Sequence, residues 1–348
     1  MITILLKVIK IVKETEDTIT LWFKQPGLKK IKYHPGQYLS TIFRINGRRY
    51  IRPYSFSSSP GIDDHLGITV KRVLSGIVSN HIHDKIKEGD DVEVMLPALG
   101  DFIFNSEIAS DNLSVFLWGV GSGITPLISI AKFILKSDLN VKVILIYGNK
   151  NHENIIFANV IQELQQTYED SFLVWHFHSK PTLSSSYPYL IEGRINAAKV
   201  LSYFKDKKWF TDNSLHYICG PKGLKDSVRN ELSNFGINDK QIYTEDFELL
   251  KDPKDFENIS TQYVDIVYKN CRNKVEVIKG KSILEAGLDA SIDLPYSCQT
   301  GNCIVCKARL ISGQIKMIGI NKRPEKLESD ECLLCCSYPV TNDVQVMI

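Results

Sequence analysis

Residues 294–306 read Leu-Pro-Tyr-Ser-Cys-Gln-Thr-Gly-Asn-Cys-Ile-Val-Cys. Three thiols, Cys298, Cys303 and Cys306, stand in the pattern C-x4-C-x2-C, and Cys332, Cys335 and Cys336 follow. Completed by one more thiolate, that spacing holds a [2Fe–2S] cluster, which moves one electron at a time and has no substrate chemistry of its own. Small residues in the loop, Ser297 and Gly301, let backbone N–H groups approach the sulfurs. A structural zinc site pairs C-x2-C knuckles, and only Cys303 and Cys306 form one. A Rieske centre needs two histidines, and none follows His216. The fourth ligand stays open on spacing alone, because Cys335 and Cys336 are adjacent.

Two further constellations could feed such a carrier. Arg52-Pro53-Tyr54-Ser55 is followed by Gly76-Ile-Val78-Ser79. An Arg forks onto phosphate, a Tyr face stacks on a flat ring, and a hydroxyl can bond a ring nitrogen. A Gly-rich turn opening a short helix offers unpaired N–H groups to a diphosphate. Alone, the turn is more often a plain helix cap, and Arg beside Tyr more often a surface charge beside a half-buried aromatic. The third constellation runs Gly119-Val-Gly121-Ser-Gly123-Ile-Thr125-Pro126, Tyr147-Gly148-Asn149, Cys219-Gly220-Pro221 and Glu245-Asp-Phe247. Its G-x-G-x-G turn is not the Rossmann fingerprint. Standing alone, Cys219 reads as a buried structural thiol and Glu245 as a solvated strand-end charge.

The elements that must position these residues fall into three blocks. Residues 1–107 alternate β-branched and aromatic runs with turn signals, which predicts an antiparallel β-barrel or sandwich. Over 108–249 buried strands alternate with helices, which predicts a parallel-sheet α/β domain with its site at the carboxyl ends of the strands. Residues 250–260 are polar, carry Pro253 and show no periodicity, as a linker does. In 261–348, QYVDIVYK and NKVEVIK predict a hairpin, SILEAGLDAS a helix, and the cysteine loop follows.

At 348 residues, 43% hydrophobic and 24% charged, the chain has room for two or three ordinary globular domains. Its 42 basic and 40 acidic residues leave a net charge of +2, which gives no basis for nucleic-acid binding. The first residues, MITILLKVIK, are interrupted by Lys7 and Lys10 and lack a cleavage site, so they predict a strand and not a signal peptide. No run of 18 uninterrupted apolar residues occurs, so no membrane insertion is expected. Six of the eight cysteines lie between Cys298 and Cys336, which suits metal ligation in a reducing cytoplasm better than a disulfide framework.

Taken together, the motifs resemble the ferredoxin–NADP reductase superfamily fused to a C-terminal plant-type [2Fe–2S] ferredoxin domain of β-grasp type. The layout is similar to reductase components of bacterial multicomponent oxygenases, such as those of the phenylacetyl-CoA epoxidase and 3-ketosteroid 9α-hydroxylase systems. The resemblance implies FAD (with FMN as alternative) on the barrel. Arg52 would hold the flavin phosphates, and Gly76, Val78 and Ser79 would cradle the pyrophosphate. Tyr54 would lie on the ring, with Pro53 beside it in the flavin site and Ser55 near its reactive nitrogen. It implies a nicotinamide nucleotide on Gly121, Gly220 and Pro221, with Thr125 and Pro126 lying against the flavin, Cys219 and Glu245 orienting the nicotinamide, and Phe247 packing near the flavin. Ser179 and Lys180 stand where NADP-using relatives carry Ser-Arg, so NADPH is expected, with NADH as alternative. Leu333-Leu-Cys335-Cys-Ser-Tyr-Pro339 resembles the family's L-T-C-x-A-Y-P, which gives Cys335 as the fourth ligand beside Cys298, Cys303 and Cys306. The implied activity passes electrons from NAD(P)H through the flavin and the cluster to an acceptor protein docking near the cluster, an oxygenase component first. A hybrid-cluster protein or a free ferredoxin is the alternative acceptor, and a non-enzymatic redox sensor or electron-carrier module is the alternative of another class.

Overall fold

The computed structural model describes residues 1–348 apart from 28–29, 109–112, 138, 182–189, 205–212, 250, 321–322 and the side chain of residue 204. Contacts divide the chain into two compact units, Met1–Glu245 and Asp246–Ile348.

The first unit opens with a six-stranded antiparallel sheet: β1 (Ile2–Thr15), β2 (Thr18–Phe23), β3 (Tyr38–Ile45), β4 (Arg48–Ser55), β5 (Leu66–Lys71) and β6 (Asp91–Leu99). The spatial order is β4-β3-β6-β1-β2-β5. Phe56, one residue past β4, bridges Ile68 on β5, so the two edges meet and the sheet curls into a barrel. Strand periodicity decides which face is inside. In β1, Leu6 and Val8 are buried while Leu5 is exposed, because successive side chains point to opposite faces. Helix α1 (Ile77–Lys85) sets Val78 and Ile82, one turn apart, into the same core. Truncating Ile82 to Ala would cost about 2–5 kcal/mol by the usual cavity penalty.

The second sheet of this unit is parallel: β7 (Leu113–Val120), β8 (Val141–Asn149), β9 (Phe172–His178), β10 (Leu190–Glu192), β11 (Ser214–Cys219) and β12 (Ile242–Glu245), in the order β10-β9-β8-β7-β11-β12. β7 is apolar along its length because both its faces are covered. Val115 and Leu117 meet α2 (Ile124–Lys136) and α3 (Ala158–Thr167) on one face. Phe116 and Trp118 meet α4 (Ala197–Phe204) and α5 (Lys222–Asn234) on the other. Strand order runs outward from β7 through β8, β9 and β10, then returns to β11 on the other side of β7. The crevice at this reversal, outside the carboxyl ends of β7 and β11, is where such sheets bind ligands. Neither β10 nor α4 was expected from the sequence.

The second unit pairs β13 (Gln262–Tyr268) with β14 (Cys271–Val277) as the expected hairpin. Helix α6 (Ile283–Asp289) starts at a capping box in which Ser282 and Glu285 satisfy each other's backbone N–H. Strands β15 (Lys307–Ser312), β16 (Ile315–Met317), β17 (Glu331–Leu333), β18 (Ser337–Pro339) and β19 (Gln345–Met347) complete it. The main sheet runs β14-β13-β19-β15-β17, with β19 parallel to β13, and β16 pairs with β18. Of the stretch expected as a linker, residue 250 lies outside the described residues. The rest is attached to this unit: Pro253–Phe256 forms a 3-10 turn, and Phe256 and Ile259 pack with Ile318 and Tyr338.

Candidate functional site

At the crevice of the first unit, β7 ends in the turn Gly121–Gly123, and α2 follows at once. Gly121 takes φ +54° with open space over its Cα, so backbone N–H groups can be approached there. Gly123 is needed for a different reason. A Cβ there would run into the Cys219 carbonyl, so only glycine lets the β7 and β11 strand ends touch. Pro126 falls in the first turn of α2, where its missing N–H has no intrahelical partner to lose. Thr125 donates its hydroxyl to the Ser122 carbonyl at 3.1 Å, and Tyr147 donates to the Gly121 carbonyl at 3.0 Å. The turn is therefore braced from both sides.

Cys219, Gly220 and Pro221 form the facing rim, Pro221 being the residue before α5. Cys219 pairs in parallel register with Glu245 across β11 and β12. Burial pushes the Cys219 thiol well above its ordinary range, the Glu245 carboxylate adds to that, and Lys225 opposes it. The group is thus a neutral thiol, and a thiolate nucleophile is not on offer. Lys225 belongs to none of the sequence motifs. It lies one turn past Pro221 on α5, only 6% exposed. Burial pulls its ammonium down while Cys219, Asp226 and Glu245 push it back up. The i, i+4 spacing from Pro221 was the available signal.

Ser179 and Lys180 follow β9, and both are exposed. Their N–H groups donate to the Asn149 and Lys150 carbonyls at 3.1 and 2.8 Å. The loops after β8 and β9 are tied into one rim with Lys150 and Lys180 on it.

On the barrel, Arg52, Pro53, Tyr54 and Ser55 end β4. The Thr41 hydroxyl holds the Arg52 carbonyl at 3.0 Å, and Tyr38 faces Ser55 in the β3–β4 ladder. Tyr54 is partly buried against the barrel core, and burial raises its phenol. Ser55 is buried. Gly76 occupies the N-cap of α1, and no side chain caps that helix. A Cβ at Gly76 would come within 2.6 Å of Ser79 Oγ, which itself accepts the Val73 N–H at 3.1 Å. Ser79 is therefore committed to closing the turn, and its O–H remains to donate one bond, with one further lone pair to accept. Phe247 lies in the second unit, 46% exposed.

In the second unit the thiols come together as two pairs. Cys298 and Cys303 face each other, the mutual hydrogen bond lowering Cys298 and raising Cys303. Cys306 and Cys335 form the other pair, and that contact raises Cys306. Cys336 lies beside Cys335 and turns its thiol to the Leu333 carbonyl at 3.5 Å. Gln299, Gly301 and Ile304 take φ values of +60°, +81° and +53°, which winds the loop around its centre. The Thr300 N–H points at Cys298 Sγ and the Cys298 N–H at Cys303 Sγ, both at 3.4 Å. Among the described residues no three His, Cys, Asp or Glu side chains converge as ligands of one ion. Two thiol pairs fit a two-iron cluster, which spreads four thiolates over two irons, better than a single zinc.

Residues 5–103 match the family described as "Oxidoreductase FAD-binding domain", 117–230 "Oxidoreductase NAD-binding domain" and 267–340 "2Fe-2S iron-sulfur cluster binding domain". The ferredoxin reductase component of 3-ketosteroid-9-alpha-monooxygenase from Mycolicibacterium smegmatis is 30% identical, over 98% of this chain and 96% of its own. This chain belongs to the ferredoxin–NADP reductase superfamily, in the branch fused to a C-terminal [2Fe–2S] ferredoxin domain. One of the subunits of 1,2-phenylacetyl-CoA epoxidase from Escherichia coli is 29% identical over 98% of the chain and 96% of its own length. Phthalate dioxygenase reductase shares the fold, with a TM-score of 0.67, 23% identity, and coverage of 99% of this chain and 98% of that one. The reductase is an NAD(P)H-dependent oxidoreductase that uses FAD and a [2Fe–2S] cluster. Its architecture is the expected one of barrel, parallel-sheet domain and ferredoxin domain. Among the described residues no helix is long and apolar enough to cross a membrane.

Proposed function

We propose that this reductase serves an oxygenase component, working in the cytoplasm and handing over electrons at the rim of its cluster loop. The observation that carries the reading is the meeting of the Gly121–Gly123 turn with the Cys219–Pro221 strand end at the sheet's switch point. Relatives at 29–30% identity over nearly the whole chain are part of an epoxidase and the ferredoxin reductase component of a monooxygenase, which supports the acceptor class. Nicotinamide supplies two electrons as a hydride, flavin can release them singly, and the cluster carries one at a time. The residues of the chain bind, orient and exclude water. Arg52 and the first turn of α1, with Gly76, Val78 and Ser79, hold the flavin phosphates, and Pro53, Tyr54 and Ser55 border its ring. Gly121, Gly220 and Pro221 seat the nicotinamide nucleotide, and Thr125 and Pro126 lie against the flavin where the nicotinamide meets it, with Cys219 and Glu245 orienting the nicotinamide. Cys298, Cys303, Cys306 and Cys335 ligate the iron. The functional limits fall at 1–107, 108–249 and 261–348, with 250–260 between the last two.

NADPH is the preferred donor in this reading, because Lys150 and Lys180 share one exposed rim with Ser179. Lys180→Ala should raise KM for NADPH several-fold and leave that for NADH unchanged; an unmoved preference removes the assignment. The acceptor is tested by mixing the reduced protein anaerobically with the oxygenase component of a phenylacetyl-CoA epoxidase or 3-ketosteroid system, and separately with a free plant-type ferredoxin. Fast re-oxidation of the cluster by an oxygenase component supports the reading. Re-oxidation by the ferredoxin alone contradicts it.

A further inference from the structure

Helix α2 carries Thr125, Ser129 and Lys132 at i, i+4 and i+7, so they line one face of the helix. All three are buried. Ser129 donates to the Ser58 carbonyl at 2.6 Å. One turn on, Lys132 pairs with Asp63 at 2.5 Å and reaches the Ser57 carbonyl at 3.4 Å. These partners lie on the barrel segment that begins just after Ser55. That segment is itself fixed: the Ser59 N–H bonds Asp63 at 2.6 Å, and Thr69 donates to the Ser57 hydroxyl at 2.8 Å. Burial pulls the Lys132 ammonium down and the Asp63 carboxylate pushes it back up. None of these contacts belongs to the motifs of the site.

An apolar contact would hold α2 to the barrel equally well in several registers. A buried ion pair does not, because a slip of one turn strands both charges in a medium that will not solvate them. We propose that the Lys132–Asp63 pair is a positioning device that fixes α2, and with it Thr125 and Pro126, against the strand end carrying Ser55, and so sets the distance over which hydride passes. The proposal rests on the functional reading above, in which Thr125 and Ser55 border the two reactants.

Lys132→Met, Asp63→Asn and the double variant are prepared as holoproteins with full flavin content. Flavin bleaching by saturating NADPH is followed anaerobically by stopped flow, with thermal unfolding in parallel. The limiting rate should fall about ten- to a hundredfold in all three, as small misplacements of reactants do, with a smaller change in the concentration for half-saturation. The melting temperature should drop in each single variant, where one charge is left unpaired, and recover in the double. A limiting rate that recovers with the melting temperature makes the pair a stabiliser only and overturns the proposal, as do wild-type rates in the single variants. Wild-type flavin that NADPH does not bleach overturns the functional reading and this proposal with it.

Discussion

Cys335 and Cys336 are consecutive, yet their thiols do different things. Cys335 faces Cys306 and also touches Cys336, whose own thiol donates to the Leu333 carbonyl. Cys335→Ser should therefore lose most of the cluster's visible absorbance and bound iron. Cys336→Ser should keep about two irons per chain. Iron and acid-labile sulfide assays on both variants decide it, and equal loss in the two would contradict the geometry. At this scale the sequence was readable wherever ligands are close in the chain. The C-x4-C-x2-C spacing already brings three thiols to one loop, and the positive φ at Gln299, Gly301 and Ile304 is how the loop accomplishes it. The Lys132–Asp63 pair was not readable, and Lys225 left only its i, i+4 spacing from Pro221 as a signal. A lysine in a helix is usually solvated, and only the packed fold shows that these two are buried beside named partners.

The two-sheet unit depends on strand β11, which is apolar except for Ser214 and His216. His216 is fully buried between β7 and the helices on that face, stacked on Phe116 at 4.7 Å. The Trp118 indole N–H donates to its Nδ1 at 3.3 Å, and its Nε2 lies 3.1 Å from the Ser214 hydroxyl. A protonated ring would set N–H against N–H, and burial lowers the imidazole to about 3. Its folded value is thus depressed below the unfolded one, near 6.5, so the unfolded chain binds the proton first as pH falls. The stability linked to His216 is complete above about pH 6.5 and is lost as pH falls toward 3, on the order of a few kcal/mol in all. The melting temperature should drop from about pH 7 to about pH 4, and His216→Asn, whose amide oxygen can take the indole N–H, should flatten part of that fall. Identical slopes would show that His216 is not the linked group. The pattern of helix and strand was legible here because β7 and β8 are long apolar runs, β7 followed by the glycines of its turn. β10 was not, since three residues carry no periodicity. The pairing of Cys219 with Glu245 was hidden too, because parallel neighbours meet only after a crossover sets the strand order.

For the whole molecule, order along the chain was the legible part: a barrel, a parallel sheet, and a small domain carrying the thiols. Turn residues and the change from period 2 to alternating strands and helices mark those transitions directly. The association of barrel and parallel sheet into one compact unit, with the remaining hundred or so residues in a second, depends on tertiary contacts such as Ser129 to Ser58 and was not accessible. The site for two-electron chemistry is built within Met1–Glu245, the one-electron carrier within Asp246–Ile348, and electrons must pass from the first to the second. The most direct test is an anaerobic titration of the holoprotein with NADPH, followed by visible absorbance and by electron paramagnetic resonance. The flavin bands should bleach on the first additions, followed by the cluster bands together with the signal of a reduced [2Fe–2S] centre. Cluster bands that respond only to a chemical reductant, with the flavin untouched by NADPH, would contradict the account.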